Sequence, residues 1–149
     1  MPSGLDRRHD HRFRRQADGL GTYLVAWSDG APVGKGEIRW DGCAAPEVAE
    51  RFPGCPEVNG LDVWPPERRS QGIGTAILLA AEGLAAWQGH HRIGLGVADD
   101  NERAARLYLR LGYAETGCRY LDRYTYTLPG GGRHDAADPA RFLLKDLPR

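Results

Sequence analysis

The chain has 149 residues, the length of one ordinary domain built on one core. Apolar residues make up 41% and charged residues 27%, a mixture that supports a packed interior and excludes a disordered chain. The formal net charge is +0, so no global field draws the protein toward nucleic acid or an anionic membrane.

Residues 6–15 (DRRHDHRFRR) are locally basic, and residues 1–17 read as a basic tail or short helix ahead of a single domain over 18–149. A polyanion-binding arm, for instance one touching a charged transfer RNA, is the competing reading; the neutral balance weighs against it. No run reaches the roughly 20 apolar residues of a membrane span, and no apolar core of a secretory signal opens the sequence, so a cytoplasmic protein is expected. Cys43, Cys55 and Cys118 lack CxxC spacing and a histidine pattern; they read as reduced thiols, and no metal site is expected.

Along the chain, 21–29 (GTYLVAWSD) reads as a strand, the turn residues Ser28, Asp29 and Gly30 follow, and 31–40 returns as a second strand. Residues 41–56 read as a connection with one short helical turn. A strand over 58–64 sets Leu61 and Val63 on one side and Asp62 and Trp64 on the other. It ends at Pro65 and Pro66, which cannot donate to a ladder. Ile73, Ile77, Ala80, Leu84 and Trp87 recur at steps of four and three and predict a helix over about 72–88 with that face buried. Ile93, Leu95 and Val97 alternate with Gly94 and Gly96, a strand whose glycines imply close approach of a helix backbone or a ligand. A helix over 101–111 carries Ala104, Leu107 and Leu111 at helical spacing and stops at Gly112. Strands over 113–127 and 141–145, separated by a GGG turn region and a polar loop, complete an α/β arrangement with a mixed sheet.

The segment Arg69-Ser-Gln-Gly-Ile-Gly-Thr75 stands between the proline-terminated strand and the amphipathic helix. Glycines there let backbone N–H groups converge on an anion, and the positive end of the helix dipole adds to the pull. A plain helix entry fits such a GxG turn equally well. A P-loop is excluded because no Gly-Lys-Ser/Thr follows, and a dinucleotide fingerprint because Ile77 stands where a third small residue belongs.

Arg69-x-x-Gly72-x-Gly74 resembles the Arg/Gln-x-x-Gly-x-Gly/Ala signature of the GNAT acetyltransferases, in its expected place after the central strand. Asn101-x-x-Ala104-x-x-Leu107-Tyr108-x-x-x-Gly112-Tyr113 is similar to that family's later motif, and together the two cover about 58–113. The resemblance implies a GNAT-like mixed, mostly antiparallel central sheet flanked by helices, and acetyl-coenzyme A as cosubstrate without a metal. It implies that backbone amides around Gln71, Gly72, Ile73, Gly74 and Thr75, in the motif that Arg69 opens, hold the pyrophosphate. Val63 and Trp64 then offer backbone groups to the pantetheine and acetyl carbonyl, Asn101 contacts the pantetheine, and Tyr108 is the general acid for the departing thiolate. The chemistry of the residue agrees, since a phenol can hand a proton to a sulfur of similar proton affinity. Tyr108 as a plain core aromatic is the alternative.

An attacking amine must be unprotonated, and Glu57 and Asp62 are the acidic candidates for a base near the central strand. Direct attack in a ternary complex on a primary amine, of a small molecule or of a peptide or protein, is the expected mechanism. The sequence departs from the family in having only twenty residues before the first hairpin, where relatives place a strand and two helices that wall the acceptor pocket. With this shortened region, either the sequence begins late relative to the family or the pocket is open. An open pocket is one that a second copy of the chain in a homodimer can complete or that admits a bulky substrate such as a protein terminus or lysine. Trp27, Trp40, Trp64 and Tyr120 are candidates to line it, with burial in the core as the plainer role. A module that holds acyl-coenzyme A as a sensor without turnover is the competing function.

Overall fold

In the computed structural model, which describes residues 14–68 and 72–148, a six-stranded sheet carries three helices. The elements are β1 (Gly21–Ser28), β2 (Ala31–Arg39), α1 (Pro46–Arg51), β3 (Glu57–Val63), α2 (Ile73–Trp87), β4 (Arg92–Ala98), α3 (Glu102–Arg110), β5 (Ala114–Thr127) and β6 (Arg133–Asp146). A helical turn over 14–17 precedes β1, and a short 3-10 turn at Pro66–Arg68 follows β3. The spatial order is β1-β2-β3-β4-β6-β5, with β3 and β4 parallel and every other pair antiparallel.

Local chemistry accounts for the element ends. Asp29 (φ 52°) and Gly30 (φ 78°) both occupy the left-handed region, which matches the tight turn that a right-twisted two-stranded ribbon prefers. Pro46 opens α1, where its missing N–H is no loss, and Gly112 at φ 98° follows the last turn of α3.

The two faces of the sheet bury separate clusters. Ile38, Val58, Ile93, Leu95, Val97 and Leu143 meet Leu78, Ala81 and Ala85 of α2 and Ala105 and Tyr108 of α3 on one side. Val48 of α1 packs with Cys118, Tyr120, Ala140 and Phe142 on the other.

Three expectations are corrected. The buried stripe of α2 is Ile77, Leu78, Ala81, Glu82 and Ala85, whereas Ala80 is exposed and Trp87 is 84% exposed. The helix is apolar nearly all round, so periodicity alone does not fix its phase; the small Ala81 and Ala85 are the residues that lie against the sheet. The close approach at Gly94 and Gly96 comes from side chains and not from a helix backbone: a β-carbon at Gly94 would enter the Phe142 ring, and one at Gly96, which lines a cavity, would collide with the Tyr120 hydroxyl. The polar stretch before Arg141 is strand, not loop, paired with β5 from Thr127↔Arg133 through Leu121↔Pro139. This ribbon extends past β4 with both faces in water, so no apolar alternation marks it; polar pairs such as Thr125 Oγ1 donating to Asp135 Oδ1 (2.9 Å) hold it instead. No helix among the described residues is long and apolar enough to cross a membrane.

Candidate active site

The site begins with an irregularity in β3. The β2–β3 register shifts between Lys35 and Glu37, and Gly60 opposite that step adopts φ 65°, a bulge that a residue with a β-carbon would resist. Val58 and Leu61 are three residues apart, and in a regular strand they would point to opposite faces. With the bulge both join the cluster beneath α2 and α3. Glu57 and Asn59 take the other face, where Asn59 Nδ2 donates to Glu57 Oε1 (3.1 Å).

β3 and β4 then part. Their parallel pairing is confined to Glu57↔Gly94 and Val58↔Leu95, and the edge of β3 from Asn59 onward has no strand partner toward β4. A cavity of about 790 Å³ occupies the gap and passes through the sheet. Asn101, Ala104 and Tyr108 line it from α3; Arg39, Cys43, Glu47, Glu57, Tyr120 and Asp122 line it on the face of α1.

On the helix side, Asn101 caps α3 by accepting from the Ala104 amide through Oδ1 (3.2 Å). That fixes the helix start, and Tyr108 follows on the same face at i+7. The Tyr108 ring stands edge-on to Tyr113 (centroids 6.2 Å apart), and its hydroxyl forms no hydrogen bond with a described residue. Burial pushes its phenol above the ordinary range, so it holds its proton at neutral pH.

On the other side, Glu57 is 2% exposed. Burial pushes its carboxyl above the usual carboxylate range, while Cys43, Asn59 and the Arg39 guanidinium (Nε to Oε1, 3.8 Å) pull against that rise. Cys43 is itself pushed up to about 12 by burial and by the neighbouring Glu57 charge, and is a neutral thiol at physiological pH. The Asp122 carboxyl is raised by burial and by Asp138, its cross-strand neighbour.

Of the predicted site residues, Tyr108, Glu57 and Asn101 meet at this cavity, as does Tyr120 among the aromatic candidates. Asp62 does not: it lies exposed beside Lys35 on the ladder, away from the lining residues. Val63 pairs with Gly34, and the Trp64 amide donates to the Val33 carbonyl (3.0 Å), so that N–H is already engaged. Trp27 is 66% exposed, and Trp40 stacks on His90 and donates Nε1 to Thr22; neither reaches the cavity. Gly72, at φ 82°, is the N-cap of α2 and supplies no side-chain bond to the first turn. The amides of Ile73, Gly74 and Thr75 thus stand, beside Val63, at a helix end that no side chain of the described residues is seen to cap. Arg69 and Gln71 lie outside the described residues.

Sequence reasoning does not single out Arg39, Cys43, Glu47 and Asp122 as site residues, because they come from the end of β2, the following loop, α1 and the middle of β5, which only the topology brings together. The glycine pair in β4 was the available signal. Tyr120 sits opposite Ala140 on β6 and reaches over it to Gly96, so the small residues seat the aromatic that walls the cavity.

The arrangement suits a long acyl-thioester carrier. The N-terminus of α2 stands at one end of β3 and the buried Glu57 carboxyl at the other, roughly 20 Å apart along the strand. Between them β3 and β4 diverge, which opens room for an extended arm.

The sequence model of the Acetyltransferase (GNAT) family matches residues 2–113. Among solved structures, a ribosomal-protein-alanine N-acetyltransferase from Brucella melitensis superposes with a TM-score of 0.67 at 24% identity, over 96% of this chain and 78% of that one. Nourseothricin acetyltransferase gives a TM-score of 0.62 at 24% identity, over 88% and 68% respectively. The PaiA N-acetyltransferase from Thermoplasma acidophilum, solved in complex with coenzyme A, gives 0.61 at 18% identity, over 91% and 67%. No curated protein matches the chain significantly.

Proposed function

The chain belongs to the GNAT family of acetyltransferases, and we propose that it transfers the acetyl group of acetyl-coenzyme A to a cationic primary amine by direct attack in one ternary complex. The observation that carries this reading is the through-sheet cavity with Tyr108 on one side and Glu57 on the other. Acetyl-coenzyme A supplies an activated acyl thioester; the chain's own residues supply position and protons.

Glu57 is the residue we assign as base. An alkylammonium titrates near ~10.4 and an ordinary glutamate near ~4.3, a gap that makes proton transfer uphill. Burial narrows it by raising the Glu57 carboxyl, which still ionises with Arg39 beside it. Glu57 accepts one proton of the ammonium, the freed amine nitrogen bonds to the acyl carbon as the carbon–sulfur bond breaks, Tyr108 gives its proton to the departing sulfur, and the second proton lost from the nitrogen restores the Tyr108 phenol. Holding both partners in the cleft makes the step effectively unimolecular, which is where most of the acceleration arises. The uncapped first turn of α2 behind Gly72 is the proposed seat of the pyrophosphate, with Arg69 and Gln71 as proposed neighbours and Val63 offering backbone to the arm.

The acceptor enters from the face of α1. Glu47, Glu57 and Asp122 outnumber Arg39 and Arg123 among the charged residues of the cavity lining, and this acidic excess favours a positively charged amine, on a small polyamine or at a peptide terminus.

Calorimetric titration with acetyl-coenzyme A tests the cofactor half. Micromolar binding by the parent and its loss in Gly72→Asp, where a carboxylate would face the anion, is the expected pair of results. Equal affinities in the two proteins would remove the helix end from the account.

A further inference from the structure

A line of alternating charges leads from the helical turn at 14–17 to Glu57. Arg15, only 9% exposed, places Nη2 2.5 Å from Asp41 Oδ1 and Nε 3.7 Å from Glu37 Oε2. It also donates to the Leu20 carbonyl (3.1 Å). Asp41 Oδ2 lies 3.8 Å from Arg39 Nη2, and Arg39 Nε lies 3.8 Å from Glu57 Oε1. Arg39 Nε is further held by the Gly42 carbonyl at 3.0 Å, so the guanidinium is fixed midway between two carboxylates.

We infer that Arg39 and Asp41 are positioning residues that set the protonation of Glu57: Arg39 favours its charged form, and Asp41 moderates that pull by sharing the same guanidinium. The inference uses the reading of Glu57 as base only for its catalytic consequence. The groups facing Glu57 are Arg39 from β2, Cys43 from the following loop, Asn59 on β3, and Asp122 and Tyr120 from β5. Cys43 and Tyr120 are neutral at physiological pH because burial raises both, so Arg39 and Asp122 are the charged groups in that set. Arg39 is the one that attracts. Asp41 is held below the ordinary carboxylate range by Arg15 and Arg39, despite a partial burial that opposes them, and is therefore anionic wherever Glu57 titrates. A side chain anchored before β1 thus acts, through three ion pairs, on the carboxylate in the cavity.

The test is direct titration of the Glu57 carboxyl by 13C NMR in glutamate-labelled protein, its resonance assigned by its disappearance in Glu57→Gln. Arg39→Gln is expected to raise the midpoint by about one pH unit, and Asp41→Asn to lower it by less, because removing a negative charge from Arg39 frees its pull. Arg39→Lys, which keeps the charge, is expected to stay nearer the parent than Arg39→Gln. Opposite displacements in the glutamine and asparagine variants support the inference. A midpoint unmoved by Asp41→Asn, or moved upward as by Arg39→Gln, overturns it, and Asp41→Asn decides alone if Arg39→Gln does not fold. Because the titration is read without turnover, it stands or falls independently of the catalytic role of Glu57.

Discussion

Replacing Glu57 by glutamine is expected to make the protein more stable and less active, and the gain in stability is expected to depend on pH. Glu57 is 2% exposed, with Asn59 donating to it at 3.1 Å and the Arg39 guanidinium 3.8 Å away as an ion-pair partner. At an effective dielectric constant of about 20, an ion pair at that distance is worth about 4 kcal/mol, whereas burying an ion costs several kcal/mol. The raised titration of the carboxyl shows that burial outweighs its partners. Each unit of such a rise disfavours the charged form by about 1.4 kcal/mol, so the buried charge carries a net penalty in the folded state. Glutamine keeps the shape and carries no charge, and Arg39 retains Asp41 and the Gly42 carbonyl.

The sign follows from proton linkage. Between the unfolded value of about 4.3 and the higher folded value, the native state holds a proton that the unfolded chain has released. Stability of the parent therefore falls with rising pH across that window, and the loss is complete above it. The glutamine variant has no such term. Urea unfolding should show the two proteins alike near pH 4 and the variant ahead at pH 8, each kcal/mol of that gain raising Tm by about 2–4 °C at this chain length. Turnover at neutral pH should fall about 100-fold, within the range for loss of a general base. A variant less stable than the parent at pH 8, or ahead by the same margin at both pH values, would refute the buried-charge reasoning; an unchanged rate would remove Glu57 from catalysis.

Tyr108→Phe should lower kcat about 10- to 100-fold while leaving the calorimetric affinity for acetyl-coenzyme A within about twofold, because the hydroxyl bonds to no described residue; an unaltered kcat would return Tyr108 to the core. Gly96→Ala should destabilise by about 1–3 kcal/mol, since its methyl would displace the Tyr120 hydroxyl, and Tyr120→Phe in the same chain should recover most of that loss. Strict additivity in this double-mutant cycle would show that the two residues do not meet. Glu82 accepts from the Tyr113 hydroxyl (3.0 Å) and Lys145 Nζ (2.7 Å) beneath α2, so Glu82→Ala should cost about 3 kcal/mol in chemical denaturation; a cost below about 1 kcal/mol would place this pair in effective contact with solvent.

The sequence was most legible where one periodicity or one motif governed a segment. The first hairpin announced itself through Asp29 and Gly30, and the motif from Asn101 to Tyr113 placed the cap and the phenol on one helix face. It was least legible where tertiary packing decides among equivalent local choices. α2 offers apolar residues on several faces, and the sheet selects Ala81 and Ala85 over Ala80 and Trp87. The ribbon formed by the ends of β5 and β6 is wet on both sides, so its strand pairing left no apolar pattern. In the site, Tyr108 and Glu57 stood out because they adjoin recognisable elements. Arg39, Cys43, Glu47 and Asp122 did not, because the divergence of β3 from β4 and the Gly60 bulge bring them to one cavity, and neither event is local in sequence. The separation of Glu57 from Asp62 as base candidates likewise depends on the bulge, which decides what each residue faces.

Amine-dependent release of the coenzyme A thiol from acetyl-coenzyme A, measured across a panel of spermidine, lysine and peptides with free amino termini, tests the central claim most directly. The account predicts thiol release that requires a cationic amine, yields the acetylated amine by mass spectrometry, and collapses in Glu57→Gln. Tight binding of acetyl-coenzyme A with no amine-dependent release across the panel would contradict it and leave a module that holds its ligand without turning it over.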